Sequence, residues 1–162
     1  MDSFYQMLFH NSFLSYINSS AVLSDIMEAS HYLGFMLLVG SAAIVNLRIL
    51  GLAGRGRTVA SLARDLFPWM WMGFAFAFVS GFVMFAGAAP DFGHSWVFQL
   101  KVVWIIVALI FGIAVQLKVS SGERPESDSV SVGVKFMALI SIILWLGAIL
   151  VSVEVPAISG VS

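Results

Sequence analysis

The chain of 162 residues is 60% apolar and only 10% charged, a composition that excludes an ordinary water-soluble domain and belongs to the integral-membrane class. Its net charge of −1, with no basic stripe to follow a phosphate backbone, excludes a nucleic-acid partner. The absence of cysteine removes disulfides, thiolate metal sites, thioether-linked haem and iron–sulfur clusters together, so any metal must be held by histidine, carboxylate, methionine or a cofactor.

The N-terminal stretch, residues 1–20, has no lysine or arginine, lacks the basic start of a cleaved signal peptide, and reads as mature sequence. Phe4, Met7, Leu8, Leu14 and Ile17 recur at helical spacing between Asp2, Gln6, His10 and Asn11, which predicts a short helix in the membrane interface, too short to span. Asn18, Ser19 and Ser20 break that pattern. One of Ser19, Ser20 or Ser24 caps the next segment, whose early turns carry Asp25 and Glu28, two carboxylates that solvate the helix start.

Four apolar runs follow, near residues 31–52, 66–88, 97–117 and 134–155, each close to the ~20 residues that cross a ~30 Å hydrocarbon core. The expected fold is all-α: one membrane domain, a four-helix bundle with an interfacial lead-in. The linkers are short and polar. Arg48, Arg55, Arg57 and Arg64 flank the first, and Lys118, Arg124 and Lys135 flank the third; the N-terminus, second linker and C-terminus carry no basic residue. The positive-inside rule then puts both termini outside, with Arg48 as an inner-face anchor.

Two ionisable residues stand inside this frame. In HYLGFMLLVGSAAIVNLRILGL, His31 shares a face with Gly34, Leu38, Ser41, Ala42 and Val45, so an imidazole lies over a groove of mostly small side chains where something flat can pack. A histidine that merely meets water or headgroups is the alternative. Lys101 enters the third run one turn from its outer end, at a height like that of His31, on a stripe with Ile105, Ala108, Gly112 and Gln116. Its ammonium either extends to the interface or faces inward to an anion such as Glu28, Glu154 or a cofactor carboxylate. Gly73, Ala77 and Gly81 on the second run form a further small-residue series, a candidate partner for the stripe of Lys101, although ordinary helix packing accounts for both stripes.

Haem iron accepts a neutral imidazole, and a porphyrin wants an apolar slot with a cation near its propionates; His31, the Phe-rich second run and Lys101 supply those parts. Copper prefers several imidazole or thioether ligands at one point, and the chain offers His10, His31, His94 and methionines without HxxH or MxxM spacing. No hydrolytic set, no HExxH and no phosphate loop can be read.

The segments HYLGFMLLVGSAAIVNLRILGL, VASLARDLFPWMWMGFAFAFVSGFVMF, FQLK and SIILWLG resemble a family of small bacterial four-helix inner-membrane proteins of uncharacterised function. That family is similar in layout to the membrane domain of copper-resistance D proteins and to HemJ-type protoporphyrinogen oxidase, which share a histidine on an early span and a lysine entering a later one. Those positions are His31 and Lys101 here. The HemJ-type resemblance implies b-type haem (haem b) with the histidine as ligand; the copper-resistance resemblance implies copper handling. The chain departs from relatives at Gln116, where a further histidine stands in them.

Two functions of different class are therefore expected. The first is a cytochrome b-like membrane oxidoreductase that passes electrons to a redox partner or oxidises a lipophilic substrate, with His31, Lys101, Gly34 and His94 around the cofactor and His31 and His94 as metal ligands. The second is a non-redox accessory or transport protein, for copper, whose charged outer layer meets a periplasmic partner. No catalytic residue is assigned.

Overall fold

The computed structural model describes residues 2–120 and 130–159, with side chains described for residues 3–120 and 130–152. All regular structure among them is helical, in the order α1 (Asp2–Phe9), α2 (Ser12–Ser19), α3 (Ala21–Ile49), α4 (Val59–Gly87), α5 (Ala89–Phe92), α6 (Trp96–Ser120) and α7 (Val132–Ser159). Four of these, α3, α4, α6 and α7, are long and apolar enough to cross a bilayer, so the chain is a multi-pass membrane protein.

The N-terminal lead-in forms two helices where the sequence suggests one. The Asn11 side chain accepts hydrogen bonds from the backbone N–H groups of Phe13 and Leu14 at 3.1 and 3.2 Å, ending the first helix and capping the second. Ser20 takes the N-cap position of α3 without a side-chain cap bond. After α3 the chain turns through Gly51 and Gly54, both with positive φ (77° and 62°), a region that only glycine enters freely. Thr58 then caps α4 by accepting from the Ser61 N–H at 3.2 Å. The second span thus begins at Val59, seven residues before its apolar run, because Leu62 and Ala63 bury against the core and extend the helix inward.

The long helices alternate in direction, and their neighbours set the bundle order as α4, α3, α7, α6, with α6 returning to α4 at a few points. The α3–α4 seam is the most intimate. Gly34 and Gly73 face each other so closely that a Cβ on Gly34 would sit 2.6 Å from the Ala77 nitrogen, and one on Gly73 would sit 2.6 Å from the Gly34 oxygen. Gly73, Ala77 and Gly81 therefore serve α3, not α6. α6 packs mainly on α7: the Trp104 indole lies on Gly147 and donates its Nε1–H to the Leu144 carbonyl at 2.8 Å. Two further contacts tie α6 to α4, a Phe85–Phe98 stack at 4.9 Å between ring centres and a 3.0 Å bond from Trp71 Nε1–H to Gln116 Oε1.

The core runs along α3 through Leu38, Ala42, Val45 and Ile49 and meets Ala63, Phe67 and Met70 of α4, Ala108 and Val115 of α6, and Ala138, Trp145 and Ala148 of α7. Large apolar side chains such as Phe76, Phe78, Val103, Ile110, Ile143 and Leu150 point outward, the inverse of a water-soluble bundle and the arrangement a lipid solvent requires. At one end of the bundle, α1, α2 and α5 make a cap over α4. Asn18 Nδ2 donates to the carbonyls of Leu14 and Val83, and the Tyr5 hydroxyl donates to the Gly93 carbonyl.

Candidate functional site

His31 lies toward the capped end of the α3 face that packs on α4, and the small residues opposite decide what the imidazole meets. Its ring rests on Gly81, where an added Cβ would come within 2.8 Å of Cε1 and 3.0 Å of Nδ1. Nδ1 is 2.8 Å from the carbonyl oxygen of Ala77. A carbonyl can only accept, so Nδ1 carries the proton and donates it. Ser80, almost wholly buried, donates its hydroxyl to the Phe76 carbonyl and keeps Oγ 3.4 Å from Nδ1, closing that side of the ring with a polar atom. No hydrogen bond among the described residues engages Nε2.

That arrangement fixes the ring in the tautomer or charge state with Nδ1 protonated and leaves Nε2 as the variable nitrogen. It is the pairing found in metal-binding histidines, which donate the second ring N–H to a carbonyl or carboxylate. The Ala77 carbonyl and Ser80 were not foreseen as partners. A backbone carbonyl has no letter in a sequence, but Ser80 does: it is the one hydroxyl in the apolar stretch FAFAFVSGFVMF.

Lys101 is half-buried on α6, on the same stripe as fully buried Ala108. No acidic side chain among the described residues contacts it. Glu28 accepts instead from the Tyr32 hydroxyl at 3.0 Å, and the Glu154 side chain lies outside the described residues. At the level of Phe35, one turn inside His31, the Trp145 indole meets the Phe35 ring at 6.3 Å between centres; its buried Nε1–H has no acceptor among the described residues.

Gly34 and His94 are placed apart from this group. Gly34 is covered by the α4 backbone, which fills the groove of small residues below His31, so a flat ring cannot lie there. His94 sits in the cap, exposed, edge-on to Tyr5 at 5.3 Å, with Nδ1 3.5 Å from the Pro90 carbonyl. His10 also stays in the cap, against Phe9. No group of three or more His, Cys, Asp or Glu that would hold a bare metal ion occurs among the described residues.

At the end of the bundle away from the cap, Arg48 is buried and its Nε–H donates to the Arg57 carbonyl at 2.6 Å, while Arg57 pairs with Asp65 and Ser61. These bonds lock the first loop beneath the bundle, an orienting role with no reactive group in it.

Comparison with known proteins gives one result. No curated protein and no solved structure matches the chain. A family model described as "Family of unknown function (DUF6644)" matches residues 4–154, nearly the whole length and every helix described above. The chain with a histidine of its first membrane helix seated on the second is therefore a member of the DUF6644 family, whose function is unknown.

Proposed function

We propose that this chain is a small b-type haem protein of the bacterial inner membrane, with both termini outside, and that His31 Nε2 is the axial ligand. The observation that carries the reading is the 2.8 Å bond from His31 Nδ1–H to the Ala77 carbonyl, which presents Nε2 as a neutral donor and aims it by packing on Gly81. The iron would supply one-electron chemistry. Lys101 would supply the cation a propionate needs. The reading agrees with the layout shared with HemJ-type proteins, an early-span histidine and a later-span lysine.

His94 is engaged with Tyr5 and Pro90 in the cap, so the reading uses one protein ligand. With one protein ligand a bound haem would be open to a small molecule or a lipophilic substrate, whereas two imidazoles would favour plain electron transfer. Bare copper would need several imidazole or thioether ligands at one point, and no group of three or more His, Cys, Asp or Glu occurs among the described residues.

The test is a pyridine haemochrome assay and reduced-minus-oxidised spectra on wild type, His31→Ala and His94→Ala, purified alike. Loss of haem in His31→Ala alone is expected. Full haem content with an unchanged spectrum in His31→Ala overturns the proposal and leaves the accessory or transport reading. Loss of low-spin character in His94→Ala would add a second ligand.

A further inference from the structure

At the inner half of the bundle, the opposite end from His31, Asn46 of α3 and Ser141 of α7 form a hydrogen bond in the core. Asn46 Nδ2 donates to Ser141 Oγ at 3.0 Å, and the two residues are 2% and 0% exposed. The bond satisfies only part of each side chain. An amide also offers an oxygen acceptor, and a hydroxyl that accepts still has its own proton to donate. No described residue donates to Asn46 Oδ1 or accepts from the Ser141 hydroxyl.

Both residues line one crevice, shared with Ala42, Phe67, Met70 and Gly112, with about 10 Å³ of room for the centre of a water-sized sphere, about what one water needs. Gly112 is its open wall. A Cβ built there meets no atom within 4 Å, so the glycine leaves space that no neighbouring side chain fills. The sidedness and size match the unmet chemistry: a water here accepts from Ser141 Oγ–H and donates to Asn46 Oδ1, completing a three-member ring of hydrogen bonds with the Asn46–Ser141 bond. Hydrocarbon surroundings make such completion valuable, because an unmet polar group has no other solvent.

We infer that this crevice is a binding site for a single structural water, held by Asn46 and Ser141 and admitted by the missing side chain at Gly112. The site is independent of haem, and neither proposal falls with the other.

Radiolytic hydroxyl-radical footprinting of the protein in lipid vesicles tests it, because a bound water generates the radical in place. In the wild type, Met70 at the crevice is expected to be oxidised above Met72, which lies two residues along α4 on the lipid-facing side. Gly112→Ala adds a methyl at the open wall of the crevice, taking up room through which the water is admitted, and is expected to abolish the Met70 signal and lower the melting temperature, against the rise a glycine-to-alanine change in a dry helix brings. If Gly112→Ala does not fold, Ser141→Ala removes one of the two holding groups and is expected to lose the Met70 signal likewise. Met70 oxidation no greater than that of Met72, or an unchanged Met70 signal in either variant, overturns the proposal.

Discussion

The two seams of the bundle both depend on glycine, yet they use it differently. Between α3 and α4, Gly34 and Gly73 let backbone meet backbone. Between α6 and α7, Gly147 makes a shelf for the Trp104 ring, which is then pinned by its bond to Leu144. Lipid tails are as apolar as leucine, so burial alone does not drive helices together in a bilayer, and each seam must gain its stability from close packing or from polar bonds. The first seam relies on shape, with surfaces that cannot retreat. The second relies on one large ring and one hydrogen bond.

The largest effect that would sharpen this contrast is expected at the first seam. Gly73→Val places a branched side chain against the Gly34 carbonyl and Leu38 amide, neither of which can rotate away, and should cost about 3 kcal/mol or more. Reversible unfolding in mixed micelles, followed by circular dichroism, measures it. It should also displace His31, since the helices must part. A loss under about 1 kcal/mol would mean that the seam is not the rigid element described.

At the second seam, Trp104→Phe keeps most of the ring and removes the donor. The expected loss is about 1 kcal/mol, the usual worth of a hydrogen bond between membrane helices, read by the same titration. The smallest effect belongs to a glycine in neither seam. Gly40 is exposed to lipid and an added Cβ meets nothing, so Gly40→Ala should change stability by no more than about 1 kcal/mol, and in the favourable direction. Equal losses at Gly73 and Gly40 would break the comparison.

Much of this was legible beforehand. The face carrying Gly34, Leu38, Ser41, Ala42 and Val45 is the buried face of α3, because helical periodicity sorts side chains onto faces whatever lies opposite. The identity of the opposing surface is different information. Small residues admit a ring and a helix equally well, and only the three-dimensional pairing shows that α4 occupies the space over Gly34. The division at Asn11 was present as a capping residue, yet among Gln6 and His10 it reads equally as part of a polar face. The four spans were plain in hydropathy, whereas the early start of α4 depended on Thr58 and the burial of Leu62 and Ala63. At the site, His31 and Lys101 stand out as rare ionisable residues in apolar runs, but the Ala77 carbonyl that orients the imidazole is main chain and has no sequence signal.

That carbonyl bears on proton traffic. A histidine relays protons through a protein by taking one on one ring nitrogen and releasing another from the opposite one, which requires both nitrogens to alternate. At His31 the Nδ1 proton is committed to an acceptor inside a membrane helix, and the nearby Ser80 Oγ has its own proton turned toward Phe76. Nδ1 therefore takes no part in exchange, and the imidazole cannot pass a proton from one ring nitrogen to the other while that bond holds.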